Sequence, residues 1–453
     1  MNLSAPAATN PGSTSPGRGE LLQVLGVTFG IAVAIGAMIG VGILRAPSLI
    51  ARDVPQPELI LALWVTALVH AILEANVILE LATAMPRAGG PYVYVHRAFG
   101  DIGGLVVGWT LWAQRVSSTA ALSIAFAEFA AQLWPQIAAA IPAIAVIMQL
   151  AMFGMNLAGV REGRTVQEIT SFLKALALLA FCVTVILIAH PHIAAKTPRL
   201  MPVAGWAAII AAYQLIVGAY SGWYEPAFFS EETPNAARCL PRAIGIGLLL
   251  TALLYIGINA ALLHALGPAE MARYPLPFAA ALAGAGGAFA AVAIALFAML
   301  SAASCANAGI MSAPRVLLAL SRDRLLPHFF QRVNRGGSPV AAMLFTAVAA
   351  ICVALTGSFT LAFGLIATLQ SAALVLVIAA LFVLRRREPE LARPFRAIAY
   401  PWAPLLVLGI DLALLILFLD ANRMGGLYAV LLWLLAVPFA IIARRAGHAH
   451  ATR

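Results

Sequence analysis

Several ionisable side chains occur inside long apolar stretches of the sequence, among them His70, Glu74, Arg115, Lys174 and Glu225. A charge at the depth of a lipid bilayer costs about 2.5–3.5 kcal/mol on insertion scales, so such residues usually pair with one another or serve a function. The forked guanidinium of Arg115 could bind a carboxylate in two places. Its candidate partners are Glu74, Glu225 and an anionic substrate, and we expect a structural ion pair.

Three of the acidic residues allow further interpretations. Glu74 lies four residues after His70 on the same helix face, so the two could form a proton path or a packed, hydrogen-bonded pair. Glu225 directly precedes a proline and could accept a proton or a substrate ammonium, or pack against Arg115. Asp411 lies near the end of its apolar stretch, and we expect it at the membrane interface.

Two glycine-rich segments could unwind the helices that contain them. The first runs from Gly36 to Ile43, and the second runs from Gly218 to Gly222 and is followed by Pro226. Glycine costs about 1 kcal/mol relative to alanine in a helix interior, and proline removes a helix hydrogen bond. The alternative is that these glycines only allow neighbouring helices to pack closely.

Helices broken halfway through a membrane present free amides at one broken end and free carbonyls at another. An α-amino acid carries a carboxylate and an ammonium on one carbon, so a single ligand of this class suits both ends. We expect the two breaks, Ser118 and residues of the apolar stretch near 286–318 to form the substrate site. The candidate substrate-binding residues are Ile39, Gly40, Val41, Gly42, Ile43, Ser118, Gly218, Ala219, Tyr220, Ser221 and Gly222.

The composition shows that membrane helices must position these residues. Apolar residues make up 62% of the 453-residue chain and charged residues only 10%, against about 25% charged residues in a soluble domain. Twelve stretches are long and apolar enough to cross a bilayer, and none shows strand alternation. We predict an all-α membrane protein with spans near residues 22–49, 58–82, 102–131, 138–158, 167–189, 205–229, 242–266, 286–318, 340–356, 360–384, 402–420 and 425–443.

The positive charges are divided unequally between the two sets of loops. Of the 28 lysines and arginines, 20 fall on the side of the N-terminus and six on the opposite side. Because positively charged loops stay in the cytoplasm, we predict cytoplasmic N- and C-termini in the cell membrane. The net charge of +10 then reflects membrane topology, so we expect no nucleic-acid partner. None of the four cysteines falls in an outside loop, and no disulfide is expected.

The two glycine-rich segments lie in spans one and six. This is the spacing expected of two inverted five-helix repeats that each open with a discontinuous helix. The predicted organisation is a disordered cytoplasmic tail (residues 1–20), a first repeat (21–190), a second repeat (205–384), helices eleven and twelve (400–443) and a cytoplasmic tail (444–453).

Six charged residues cluster at the predicted cytoplasmic ends of helices two, six and eight. They could form a gate network that closes this end of the protein, although solvated helix ends are the ordinary interpretation of such charges. The six residues are Glu80, Glu231, Glu232, Arg315, Arg322 and Asp323.

Several motifs, in order along nearly the whole chain, resemble those of the amino acid–polyamine–organocation (APC) transporter superfamily. This resemblance implies a LeuT-like fold of 12 transmembrane helices, with a 5+5 inverted repeat and discontinuous helices 1 and 6. The motifs are Gly36–Ile43 in helix one, Glu80–Gly100 between helices two and three, Glu231–Ile244 after helix six, Arg315–Pro327 at the end of helix eight, and Arg393–Pro401 before helix eleven.

Within the superfamily, the chain leans toward the L-type amino acid transporters. Arg115-Val-Ser-Ser118 resembles their third-helix Arg-Pro-Ser-Ser, and Ala219-Tyr-Ser-Gly-Trp223 resembles their sixth-helix Ala-Tyr-Gly-Gly-Trp. Gln167 and Lys174 match their fifth-helix spacing. The resemblance implies that Lys174 occupies the region where sodium-coupled relatives hold a cation; the alternative is that it snorkels to the interface.

Three departures from the L-type pattern bear on function. Gly218 stands where these transporters usually carry a bulky aromatic gate, which favours medium or large substrate side chains. Val41 replaces a small or hydroxylated residue that could contact the substrate carboxylate. The outer loop around Trp134 lacks cysteine, so we expect no disulfide-linked heavy chain.

These features predict a secondary active transporter, a permease or antiporter. We expect it to move neutral α-amino acids with medium or large side chains by alternating access, without sodium. Lys174 and Glu225 are the candidate coupling residues, and Glu74 and Arg115 are the candidates for intramembrane charge pairing. The alternatives are a carrier of cationic amino acids or polyamines, with Glu74 or Glu225 as counter-charge, and a sensor that binds without transport. No enzyme motif, cofactor or metal site is expected, and the oligomeric state stays open.

Overall fold

The computed structural model describes residues 21–188, 204–274, 276–282, 288–356 and 359–421, together with positions 434 and 438. The predicted tails (1–20 and 444–453) lie outside the described residues, and so does the predicted twelfth helix (425–443) except for those two positions. In the part of the chain that is described, the regular elements are helices, and one isolated β-bridge joins Val333 to Pro339.

The described helices follow one another with short connections. The α-helices are α1 (Val27–Met38), α2 (Val41–Asp53), α3 (Pro57–Ala84), α4 (Pro91–Leu133), α5 (Ile141–Ala158), α6 (Val160–Ile188), α7 (Trp206–Tyr220), α8 (Ala236–Met271), α9 (Pro277–Ala281), α10 (Ala288–Arg322), α11 (Val340–Leu355), α12 (Phe359–Arg387) and α13 (Trp402–Ala421), and three 3₁₀ helices cover Pro135–Ala140, Glu225–Glu232 and His328–Gln331.

The described residues contain eight helices that are long and apolar enough to cross a membrane, or nine if α1 and α2 are counted as one bent span. The protein is therefore a multi-pass membrane protein. The prediction of twelve spans is met only in part. The stretches predicted as spans one and six are interrupted, so neither gives one continuous rod, and α11 has only 16 residues.

The break predicted in the first span is confirmed. Helix α1 ends at Met38, and α2 begins at Val41 after a bend of 41°. Gly40 is the N-cap of α2 in an extended conformation, with φ −118° and ψ −162°. An unwound pair of residues thus separates two short helices.

The sixth span is broken as well. Helix α7 ends at Tyr220, and the chain turns before it forms the 3₁₀ helix Glu225–Glu232. Gly222 has φ +108°, a conformation that favours glycine, and a Cβ at this position would lie 2.8 Å from the Cβ of Ala37. Because Ala37 belongs to the last turn of α1, the two broken segments touch each other at this glycine.

Helix α4 is longer than the predicted third span because it begins at Pro91 rather than near residue 102. Gly100, with φ +74°, kinks α4 near its start, so α4 consists of two helical parts that point in different directions. Helix α10 packs along α4, which also contacts α12, and these three helices surround the interior. On the outside, α6 exposes Ile169, Phe172 and Leu176, an apolar face suited to lipid.

Loops predicted to lie on one side of the membrane meet at one end of the molecule. The backbone N–H of Leu25 donates to Glu232 (3.0 Å), and Val160 donates to Gly336 (3.0 Å). At the opposite end, Arg45 pairs with Glu128 at 3.1 Å. The end at which Leu25 meets Glu232 is called the basic end, since the sequence places most arginines there. Its cytoplasmic location stays a prediction.

Candidate functional site

A cavity lies between the two breaks, enclosed by α4, α10 and α12. Its empty space, together with the part that opens to solvent, is about 450 Å³. Both broken spans contribute to its wall, and so do polar side chains of α4. The lining residues are Ala37, Gln114, Arg115, Ser118, Leu122, Ser221, Gly222, Tyr224, Glu225, Cys305, Ala308, Gly309 and Ile366. Of the predicted substrate-binding residues, Ser118, Ser221 and Gly222 line this cavity.

Lys174 lies at the carbonyl end of α1. Its Nζ donates hydrogen bonds of 2.7 Å to the carbonyl oxygens of Gly36 and Ile39. The side chain is fully buried, so the snorkelling alternative is wrong. A cation at this position stabilises the last turn of α1, because the carbonyls at a helix C-terminus are unsatisfied and carry partial negative charge.

Three further side chains donate to the same turn of α1. Ser301 donates to Ile39 O at 2.7 Å, Cys305 to Gly36 O at 2.9 Å, and Tyr255 to Met38 O at 2.7 Å. The same hydroxyl lies 3.1 Å from Ala219 O at the end of α7, so the two carbonyls share its single proton. One phenol therefore ties together the carbonyl ends of both broken helices. The sequence analysis missed Tyr255 and Ser301, whose only signal is a polar group inside an apolar helix.

The amide end of the first break is only partly free. Ile39 N–H donates to Ile35, and Gly40 N–H donates to Met38 at 2.8 Å, so the amide of Gly40, a candidate substrate-binding residue, is not free as expected of a broken helix end. Val41, Gly42 and Ile43 form the first turn of α2, where backbone amides have no acceptor within the helix. These five residues do not line the cavity described above.

The carbonyls expected to be free at the second break are also partly occupied. Gly218 O accepts from the N–H of Ser221 at 3.2 Å, and Ala219 O accepts from Tyr255. Tyr220 does not line the cavity; its ring packs against Trp64 and Tyr255. Gly218 is exposed, with open space where a side chain would stand.

Arg115 pairs with Glu225, one of the candidate partners, across the cavity wall. Its Nη2 lies 2.6 Å from Glu225 Oε1, its Nε donates to Ser312 at 3.1 Å, and both members of the pair are buried. The guanidinium lies 4.0 Å from the ring centroid of Phe228, a cation–π contact. The other oxygen, Glu225 Oε2, has no hydrogen-bond partner among the described residues.

A chain of amides continues from this ion pair, and sequence reasoning missed it. Arg115 Nη1 donates to Gln114 Oε1 at 3.2 Å, and Gln114 Nε2 donates to Gln370 Oε1 at 2.9 Å. The hydroxyl of Ser221 donates to the same oxygen of Gln370. The chain links α4, α12 and the second break through groups that carry no net charge.

Glu74 is not the partner of Arg115. Its Oε1 lies 3.8 Å from His70 Nε2, and the same nitrogen lies 2.9 Å from Asp411 Oδ1. Asp411 is 3% exposed, so the expectation that it is interfacial is wrong. Helix α13 packs against α3 and carries this acid inward, which the local pattern of α13 could not indicate.

Four of the six predicted gate residues form ion pairs between the segment after α7 and α10. Glu232 and Arg315 form a two-pronged pair in which Oε2 lies 2.7 Å from Nη2. Their side chains are 0% and 3% exposed, which contradicts the solvated interpretation for this pair. Glu231 pairs with Arg322 at 2.7 Å and accepts from the backbone of Ala88 at 3.0 Å.

The other two gate residues have different partners. Asp323 contacts Arg87 at 3.0 Å and the hydroxyl of Tyr92 at 2.9 Å, both near the start of α4. Glu80 pairs with Arg385 at 2.5 Å and with Arg393 at 3.1 Å. It therefore fastens α3 to the end of α12 rather than to α10.

Comparison with known proteins gives a consistent result. A family model described as amino acid permease matches residues 25–441. A protein of Mycobacterium tuberculosis named as an uncharacterized transporter is 30% identical over 350 residues, 76% of each chain. The serine/threonine exchanger SteT of Bacillus subtilis is 26% identical over 429 residues, 92% of this chain and 96% of the other. The branched-chain amino acid permease BcaP of the same species is 27% identical over 445 residues, 93% of each chain.

Proposed function

Since the chain belongs to the amino acid permease family, we propose that it is a secondary active transporter that carries an α-amino acid across the cell membrane by alternating access. One observation carries this proposal: two broken helices touch each other beside a polar cavity inside a membrane protein. Broken helices with exposed backbone ends are the device by which many transporters bind substrates near the bilayer midplane.

The substrate would be held by its two charged groups. The first turn of α2, Val41 to Ile43, does not line the cavity in this structure, but its amides, at the positive end of a helix dipole, are the proposed site for the carboxylate. The ammonium would bind beside the second break, where Glu225 Oε2 is buried and has no hydrogen-bond partner among the described residues. Ser118, Ser221 and Gly222 would contact the rest of the molecule. Gly218, Ala219 and Tyr220 do not line the cavity, and they would maintain the conformation of the break without contacting the substrate.

The finer architecture belongs to the proposal. We place residues 21–190 and 205–384 in two inverted repeats of a twelve-helix LeuT-like fold, with both termini in the cytoplasm. The basic end is then the cytoplasmic gate. Its ion pairs, Glu232 with Arg315 and Glu231 with Arg322, are formed in this structure, which corresponds to a state closed toward the cytoplasm.

Lys174 supplies the cation that sodium would supply in a sodium-coupled carrier. Its Nζ already occupies the carbonyl cluster of α1, so a sodium ion has no carbonyl oxygens left to bind there. We therefore expect uptake to continue when sodium is replaced by choline. Uptake that collapses on this replacement would refute the assignment.

Neutral amino acids with medium or large side chains are the proposed substrates. The replacement of a bulky aromatic residue by Gly218, seen in the resemblance to L-type transporters, favours such side chains, but Gly218 is exposed and does not line the cavity in this structure. The names of two relatives, a serine/threonine exchanger and a branched-chain permease, also refer to neutral substrates. A carrier of cationic amino acids or polyamines has less support, because Glu225 is paired with Arg115 and Glu74 with His70.

The test combines binding with transport. Purified protein is screened by thermal shift against the common amino acids and putrescine, because a ligand at 100 times its Kd stabilises the native state by about 2.7 kcal/mol. Ligands that bind are then tested for counterflow in proteoliposomes. Binding with counterflow of neutral amino acids supports the proposal. Binding without counterflow indicates a sensor, and competition by putrescine, which lacks a carboxylate, indicates the polyamine alternative.

A further inference from the structure

A buried cluster of three ionisable side chains lies outside the central cavity. His70 and Glu74 project from α3, and Asp411 projects from α13. Their exposed fractions are 3%, 5% and 3%, and one possible ligand atom of each lies within 4.8 Å of the others. None of the three lines the cavity that we assign to the substrate.

The charges of this cluster do not balance. Among the described residues, no lysine or arginine forms an ion pair with any of its three members. Two carboxylates and one imidazole therefore share a small volume of the apolar interior, where like charges repel strongly unless a cation or a proton lies between them. In addition, Asp411 Oδ2 is buried without a hydrogen-bond partner among the described residues. The cluster therefore holds a buried carboxylate oxygen that could accept a further hydrogen bond.

Both sides of the second helix break contact this cluster. The ring of Tyr213, in α7, stacks on the imidazole of His70 with centroids 6.2 Å apart. The indole of Trp223, in the turn that follows α7, interacts with the Glu74 carboxylate. Tyr213 is the titratable side chain that α7 directs at the cluster, and Asp411 is the one from α13. A movement of α7 relative to α3 would change the surroundings of all three members.

We propose that His70, Glu74 and Asp411 form a proton-binding site whose loading accompanies the movement of α7, and that this site couples proton flow to amino acid transport. The inference rests on the proposed transport function and names its coupling ion. A metal ion fits the geometry less well. His70 Nε2 and Asp411 Oδ1 are 2.9 Å apart, a hydrogen-bond distance, whereas two ligands of a tetrahedral zinc site would be about 3.3 Å apart.

The experiment uses proteoliposomes of the full-length protein and an amino acid identified by counterflow. With an inward gradient of one pH unit and the membrane potential clamped, coupling of one proton per substrate would give about tenfold accumulation. A pH-sensitive dye inside the vesicles would report substrate-dependent acidification. Asp411→Asn and Glu74→Gln are expected to abolish accumulation and acidification while counterflow continues. The matched control is His264→Asn, which changes a histidine of α8 outside the cluster and should behave as wild type.

Each outcome decides the inference. Wild-type protein that performs counterflow but shows neither accumulation nor acidification overturns the proton site and leaves the transport function standing. Absence of counterflow for every amino acid overturns the transport function itself. Accumulation that persists in both variants, or a metal ion that copurifies with the wild type and is lost from Asp411→Asn, also overturns the site. If either variant fails to fold, the dye signals of the wild type and of His70→Asn are compared instead. Acidification in the wild type that is lost in His70→Asn supports the site, and equal acidification in both overturns it.

Discussion

Lys174 shows how a single side chain can define a binding region. Its ammonium is buried and donates to two backbone carbonyls, and a hydrogen bond to a charged group contributes about 1.5–3 kcal/mol. We predict that Lys174→Met destabilises the protein by several kcal/mol and lowers uptake at least about tenfold, since Gly36 O and Ile39 O lose their donor. Thermal unfolding in detergent and initial uptake rates measure both effects.

A matched comparison comes from Ser301→Ala, which removes one neutral hydrogen bond from the same carbonyl of Ile39. Its effect should be smaller, about 1 kcal/mol, because no charge is lost. Lys174→Met with wild-type unfolding temperature and wild-type uptake would show that the ammonium is not required.

The ion pair between Arg115 and Glu225 gives a second prediction for individual residues. Removal of one partner of a buried ion pair leaves an uncompensated charge and typically costs about 3–5 kcal/mol. Arg115→Gln and Glu225→Gln should each destabilise strongly, whereas the double variant should be less damaged than the sum of the two. The measurement is a double-mutant cycle on thermal stability, with uptake in parallel. Additive losses would contradict direct pairing.

At the scale of helices, the contact between the two breaks depends on one glycine. Gly222 has a positive φ, and a Cβ there would collide with Ala37. Strain of this kind costs about 1–3 kcal/mol, so Gly222→Ala should separate the breaks and reduce both uptake and stability. Gly245→Ala is the matched control, since this position lies within α8 and has open space around it. Equal behaviour of the two variants would show that the contact is unimportant.

The gate can be tested with a cysteine that the protein already has. Cys305 lines the cavity and is a free, buried thiol. Glu232→Gln weakens the buried pair with Arg315, so we predict faster modification of Cys305 by a maleimide added to proteoliposomes, after Cys182, Cys239 and Cys352 have been replaced by serine. Substrate protection of Cys305 serves as the control for labelling from within the cavity. An unchanged modification rate would argue against a gate at this end.

Some elements could be predicted from the sequence, and the reason lies in local chemistry. The breaks near Gly40 and Gly222 follow from glycines in otherwise apolar helices, and both are present. The positions of Gln370 and Asp411 could not be predicted, since their partners belong to helices far away in the sequence. Helix periodicity states which face of a helix is polar, but the neighbour of that face depends on tertiary packing.

For the whole molecule, orientation in the membrane is the testable property. The excess of arginines at one end predicts that this end faces the cytoplasm. In intact cells, a membrane-impermeant maleimide should therefore label Thr356→Cys, at the opposite end, but leave Cys239 unlabelled until the cells are permeabilised. The reverse pattern would invert the proposed topology and with it the assignment of the gate.

The sequence predicted the helical membrane architecture well, but it predicted the contacts between helices poorly. Hydropathy identified a multi-pass helical protein, and eight or nine spans are present in the described residues. The ion pair of Arg115 with Glu225 was one of several possibilities that only the packing of α4 against the second break could resolve. The amides and carbonyls of both breaks were expected to be free, but polar side chains from α6, α8 and α10 donate to several of the carbonyls, and the amide of Gly40 donates to the backbone of Met38.

The lysine that occupies the carbonyl end of α1 has a consequence for how the cell could use this protein. A cation that is covalently attached to the chain cannot leave with the cargo, so it cannot transmit the energy of an external salt gradient. Under the proposed function, amino acid uptake would therefore draw no energy from a sodium gradient at this site.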